Sequence, residues 1–109
     1  MADDTAYTDK QIERGRRVLS KAEAWRDGNP EAWRYAVRLA VEQARRGDPI
    51  SGRELVDAVR RKAFTDREGR DARPNNDYGA VWARWLAAEY PETAAHIEQR
   101  RTVFNYLMA

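Results

Sequence analysis

Between Asn29-Pro30 and Gly47 the chain repeats apolar residues at steps of three and four: Trp33, Ala36, Val37, Ala40, Val41 and Ala44. A run of that period, sixteen or so residues long, buries one stripe of a helix and needs another helix to bury it against. Its ends are punctuated. Asn29 is placed as N-cap, Pro30 fits the first helical position, where its missing N–H costs nothing, and Gly47 offers a C-terminal stop. Arg34, Arg38, Glu42 and Arg45 fall mostly on the watered face.

The rest of the chain divides by the same signals into a mostly helical whole of about five helices. A first helix over residues 9–26 carries Ile12, Val18, Leu19, Ala22 and Trp25 on one stripe and closes at Asp27-Gly28. Ser51-Gly52-Arg53-Glu54 has the pattern of a capping box, with Ile50 ready to staple onto Leu55, and opens a helix that buries Leu55, Val56 and Val59 and ends near Lys62 or Ala63. Residues 64–76 lack a helical period and hold Glu68-Gly69, Pro74 and Asn75-Asn76, so a loop or a short, ragged hairpin is expected there. A fourth helix, capped by Asn76 or starting at Asp77, aligns Val81, Trp82, Trp85 and Leu86. After the corner at Tyr90-Pro91-Glu92, a fifth is expected to align Ala94, Ile97, Arg101 and Phe104.

At 109 residues the chain builds one core. The boundaries read as a flexible acidic N-terminus over residues 1–8 and a single helical domain over 9–109, made of an N-terminal helix (9–28) and the remainder (29–109). With few Leu, Ile and Phe available, Trp25, Trp33, Trp82 and Trp85 are expected to supply core volume against Ala-rich helix faces.

Several chemistries lack their parts. Zero cysteines remove disulfides, thiolate catalysis and Cys-ligated zinc, and the single histidine, His96, leaves no second imidazole for a metal site. The six glycines are scattered, and none forms a phosphate-cradling loop. Carboxylates are plentiful but sit beside arginines, which favours solvated ion pairs over a catalytic acid pair. The expectation is a protein that is not an enzyme and uses no cofactor and no metal. No stretch is apolar enough for a membrane span, and the start Met1-Ala2-Asp3-Asp4 is unlike a signal peptide, so no membrane partner is expected and the location reads as cytoplasmic.

Net charge is +2, unevenly spread. Within residues 60–76, Arg60, Arg61, Lys62, Arg67, Arg70 and Arg73 face only Asp66, Glu68 and Asp71, which marks this segment as the candidate interaction surface. Its cations could contact phosphates, and Asn75 and Asn76 offer amides that can pair with an adenine edge, whereas the plain alternative is a solvated loop whose Asn residues serve as turn and cap.

The order Ile50-Ser51, Leu55-Val56, Val59-Arg60, Asn75-Asn76-Asp77-Tyr78, Ala83-Arg84, Tyr90-Pro91 and Arg100 resembles small uncharacterised winged-helix-like proteins of bacteriophages and other mobile elements. The resemblance covers about residues 30–101. It implies that the helix from Ser51 and the helix after Asp77 form a helix-turn-helix-like core. Residues 64–76 would be the turn or a reduced wing, since Arg70-Asp71-Ala72-Arg73-Pro74 is more polar than the strand-like stretch usual there. It further implies Tyr78 and Arg84 as groove contacts, with Arg60, Arg61, Arg67, Arg70 and Arg73 on phosphates; Arg53 and Lys62 complete the candidate binding set. Nucleic acid is the leading expected partner. A host protein blocked by a small inhibitor or adaptor, for instance a defence-system component, is the alternative, and a virion assembly role is a third. Ile12, Leu19 and Trp25 could pack within the chain or on a second copy as a homodimer.

Overall fold

In a computed structural model that describes residues 7–109, the chain forms six α-helices, with no strand longer than a single bridge among the described residues: α1 (Asp9–Gly28), α2 (Pro30–Arg46), α3 (Gly52–Lys62), α4 (Gly79–Glu89), α5 (Pro91–Ala94) and α6 (Val103–Leu107). A 3-10 turn (Asn76–Tyr78) leads into α4. Residues 1–6 of the expected flexible N-terminus lie outside the described residues. Thr8, at its end, caps α1: its hydroxyl accepts from the Gln11 N–H, and the Gln11 side chain accepts from the Thr8 N–H.

Helix punctuation worked differently from expectation at several places. Asn29 flanks α2 but makes no side-chain cap; its amide donates to Trp25 O at the end of α1 and so tightens the α1–α2 corner. Gly47 takes the left-handed conformation, φ 77°, that ends α2. At α3 only half of the capping box forms, Ser51 Oγ accepting from the Glu54 N–H. The cap before α4 is Asn75 rather than Asn76: its Oδ1 accepts from the Asp77 N–H and starts the 3-10 turn.

The expected fifth helix is split in two. Thr93 is fully buried, and its hydroxyl donates within reach of both Leu86 O and Tyr90 O, which fastens the short α5 to the end of α4. The chain then extends. Ile97 bridges Ile50 in parallel, with the Ile50 N–H donating to His96 O, and Thr102 caps a fresh start at α6. Residues 95–96 turn out of α5, Ile97 is buried against Ile50 in the bridge, and residues 98–102 are not helical.

Four tryptophans form a contiguous cluster, with Trp33 and Trp82 buried in the core and Trp25 and Trp85 partly buried against it. Trp25 of α1 lies 5.1 Å from Trp82 of α4, Trp82 lies edge-on to Trp33 of α2 at 5.4 Å, and Trp33 lies edge-on to Trp85 at 5.5 Å. Trp82 is fully buried among Val81, Leu86, Val56 and Val59. Arg26 closes the solvent side: its guanidinium stands 4.7 Å from the Trp33 ring and 4.9 Å from the Trp85 ring while pairing with both carboxylate oxygens of Glu89. Ala22, Ala32, Ala36 and Ala40 are buried beside these rings, which is how small residues and indoles share one core.

Two close approaches set the helix geometry. Gly52 and Gly79, in the first turns of α3 and α4, lie backbone to backbone. On the other side Gly15 lets Val103 and Leu107 of α6 settle onto α1.

Candidate nucleic-acid interface

The candidate segment begins where α3 ends. Ala63 adopts a left-handed φ of 60°, which turns the chain out of the helix, and residues 64–72 fold back on themselves. Thr65 and Asp71 form an antiparallel bridge, flanked by hydrogen bonds from the Ala72 N–H to Phe64 O (3.0 Å) and from the Asp66 N–H to Arg70 O (2.8 Å). Asp66 Oδ1 accepts from the Glu68 and Arg70 N–H groups, and Gly69 supplies the positive φ at the tip. The base is anchored to α1 by the Trp25 indole, which donates to Ala72 O at 2.8 Å. The result is a short hairpin-like turn in which Asp66 satisfies backbone donors.

That scaffold sorts the candidate residues. Arg61, Lys62, Arg67 and Arg70 are exposed and make no ion pair among the described residues. Arg73 is exposed but bound to Asp71 at 2.6 Å; the Arg73 backbone N–H, then its guanidinium, hold the Asp71 carboxyl below the ordinary carboxylate range. Asn75, although exposed, spends its Oδ1 on the cap. Arg60 is half-buried and donates to Pro74 O at 2.8 Å, tying α3 to the chain entering α4.

Tyr78 and Arg84 require correction as groove contacts. The 3-10 turn aims Tyr78 inward, where its ring is buried 6.4 Å from that of Trp25; burial, then the nearby Asp77 charge, raises its hydroxyl pKa. Arg84 donates to Ala80 O, Arg100 O and Asn105 Oδ1 and so pins the non-helical 98–102 segment and the start of α6 to α4; burial lowers its pKa. More generally α4 is the most enclosed of the helices, with Gly79, Val81, Trp82, Ala83 and Leu86 all buried. Little of it is left to enter a groove.

Arg53 sits at the other end of α3 from Arg61, roughly 12 Å away at the helical rise of 1.5 Å per residue. It lines a groove of about 610 Å³ with Asp57, Asp77, Arg84, Glu98 and Arg100. The groove brings Arg53 and Arg84 together at the opposite end of α3 from Arg61 and Lys62.

Reading by segment missed the contribution of α2. Arg34 lines a depression together with Thr65, Asp66 and Arg67 of the hairpin. Arg38 and Lys62 both reach over the ring of Tyr35, at 5.4 and 5.8 Å, and the Phe64 ring meets Tyr35 at 5.4 Å. The spacing of Arg34 and Arg38 at i and i+4 was the available signal, since it places them on one strip of the outer face of α2.

No group of three His, Cys, Asp or Glu side chains is arranged to hold a metal among the described residues, and no helix is long and apolar enough to cross a membrane. No family model, curated protein or solved structure matches the chain.

Proposed function

We propose that the chain is a non-enzymatic nucleic-acid-binding protein that engages phosphates through the end of α3 and the adjoining hairpin. The observation that carries this reading is the set of four exposed cations at the end of α3 and on the adjoining hairpin, Arg61, Lys62, Arg67 and Arg70, with no ion-pair partner among the described residues. In solution such charges lower their free energy by releasing counterions from a polyanion, which favours phosphate contacts of low sequence specificity. In this reading α3 and α4 are the two helices of a helix-turn-helix-like core, residues 64–72 are a reduced wing, and the wing rather than α4 meets the nucleic acid.

The test is fluorescence anisotropy with labelled duplex and single-stranded oligonucleotides at about 50 and 200 mM salt. Binding should weaken by at least roughly tenfold between those limits if several phosphates are contacted. The triple variant Arg61→Glu, Arg67→Glu, Arg70→Glu should lose binding with its far-ultraviolet circular dichroism unchanged; undiminished affinity in that variant would sink the reading.

A second reading, a protein-binding inhibitor or adaptor that blocks a host protein, is favoured by one observation. The groove beside the α3–α4 crossing is lined by Arg53, Arg84 and Arg100 together with Asp57, Asp77 and Glu98. Mixed charge of that kind suits a polar protein surface better than a phosphate backbone. Charge reversals at Arg53 and Glu98 would weaken partner binding on this reading and leave oligonucleotide binding untouched.

A further inference from the structure

Two kinds of cation–aromatic contact occur in this fold, and the difference between them is informative. Arg26 is locked over Trp33 and Trp85 by a bidentate pair with Glu89, so its position is set by a carboxylate. Arg38 and Lys62 have no carboxylate partner among the described residues, yet both converge on Tyr35, near the roughly 6 Å limit at which such contacts hold. Two like charges gathered around one ring repel each other. Both sit on long, exposed side chains that can swing outward.

The ring they cover is itself partly exposed. Tyr35 and Phe64 are each partly buried, and their planes meet at 57°, so they form an angled ledge between α2 and the start of the hairpin rather than a closed stack. A flat, aromatic, anionic partner suits all of this at once: its planar part takes the Tyr35 face and the displaced cations take its flanking charges.

We propose that Tyr35 and Phe64, flanked by Arg38 and Lys62, form a stacking site for a base of single-stranded nucleic acid. This rests on the nucleic-acid reading above and names the class of strand. In a duplex every base face is covered by its neighbours, whereas in a single strand a base can leave the stack and lie on a side-chain ring, with adjacent phosphates on the cations. Lys62 is also the member that joins this ledge to Arg61, so the stacked base and the phosphate contacts lie along one path from α2 to α3.

The test compares fluorescein-labelled oligo(dT) of about 20 nucleotides with a duplex of equal length, by anisotropy at low salt. The wild-type chain should bind oligo(dT) at least about tenfold more tightly than duplex, and oligo(dT) should shift the Tyr35 and Phe64 ring protons upfield in the NMR spectrum. Tyr35→Leu and Phe64→Leu should each lose roughly five- to tenfold or more in oligo(dT) affinity while duplex affinity stays within about twofold, and Tyr35→Phe should bind like wild type. Equal affinity for the two oligonucleotides, unshifted ring protons, or folded Leu variants with undiminished oligo(dT) binding would each overturn the stacking site while leaving phosphate binding intact. If neither oligonucleotide binds the wild-type chain, the nucleic-acid reading itself fails. The ring-proton shift needs no substitution, so it decides the matter even if a Leu variant does not fold.

Discussion

Gly52 and Gly79 touch through their main chains: a Cβ on Gly52 would overlap the carbonyl of Gly79, and one on Gly79 would come within 3.0 Å of the Arg53 amide nitrogen. Both obstacles are backbone, which cannot swing aside as a side chain can. The crossing of α3 over the start of α4 therefore depends on the absence of two side chains.

Gly52→Ala should destabilise the fold by about 2 kcal/mol or more, the cost of forcing an extra carbon into a packed contact. Ala is otherwise the better helix former, so a shift of the urea midpoint to higher concentration would show that the crossing relaxes freely.

Arg26 and Glu89 should prove unequal partners. Glu89 is open to water, and losing its charge in Glu89→Gln should cost under ~1 kcal/mol. Arg26→Ala should cost about 1–2 kcal/mol, because it also strips the cover from Trp33 and Trp85. Equal losses for the two substitutions in urea titrations would show that the ion pair, not the stacking, carries the contribution.

Ala63 ends α3 in a conformation that glycine adopts without penalty. Ala63→Gly should raise stability by about 1 kcal/mol, since relief of the left-handed strain exceeds the extra freedom gained by the unfolded chain. A fall in thermal midpoint would contradict this account of the turn.

The hairpin should loosen in acid. Asp71 has its pKa lowered in the folded chain, chiefly by the Arg73 N–H. A lowered folded pKa means that the contribution is complete above the ordinary aspartate range and is lost as pH falls through the folded value. The Arg73 amide proton should therefore move with a midpoint below that of an unstructured aspartate, and Asp71→Asn should abolish the movement.

Much of the helical framework is legible in the residues alone. The stripe from Trp33 to Ala44 is α2, with Pro30 and Gly47 at its ends, and Ser51 caps α3. The scarcity of aliphatic residues correctly points to a tryptophan core. Legibility stops where a contact between distant residues decides the outcome. Nothing local distinguishes Asn75 from Asn76 as the cap, and the apolar period through Ile97 and Phe104 conceals the pairing of Ile97 with Ile50. The site is harder still. Arg60, Tyr78 and Arg84 have the residue types of a binding surface, but Pro74 O, the Trp25 ring and Arg100 O take them up. Conversely, the Tyr35 and Phe64 ledge joins two elements that share no motif.

The four indoles form one unbroken chain of ring contacts that runs through α1, α2 and α4. At such separations, excitation absorbed by any one of them passes to the others, so the emission behaves as a single optical reporter. That reporter senses the coming together of three helices and is nearly blind to the hairpin tip. Denaturation followed by tryptophan emission and by amide exchange at Arg70 should therefore trace different curves if the tip opens ahead of the centre.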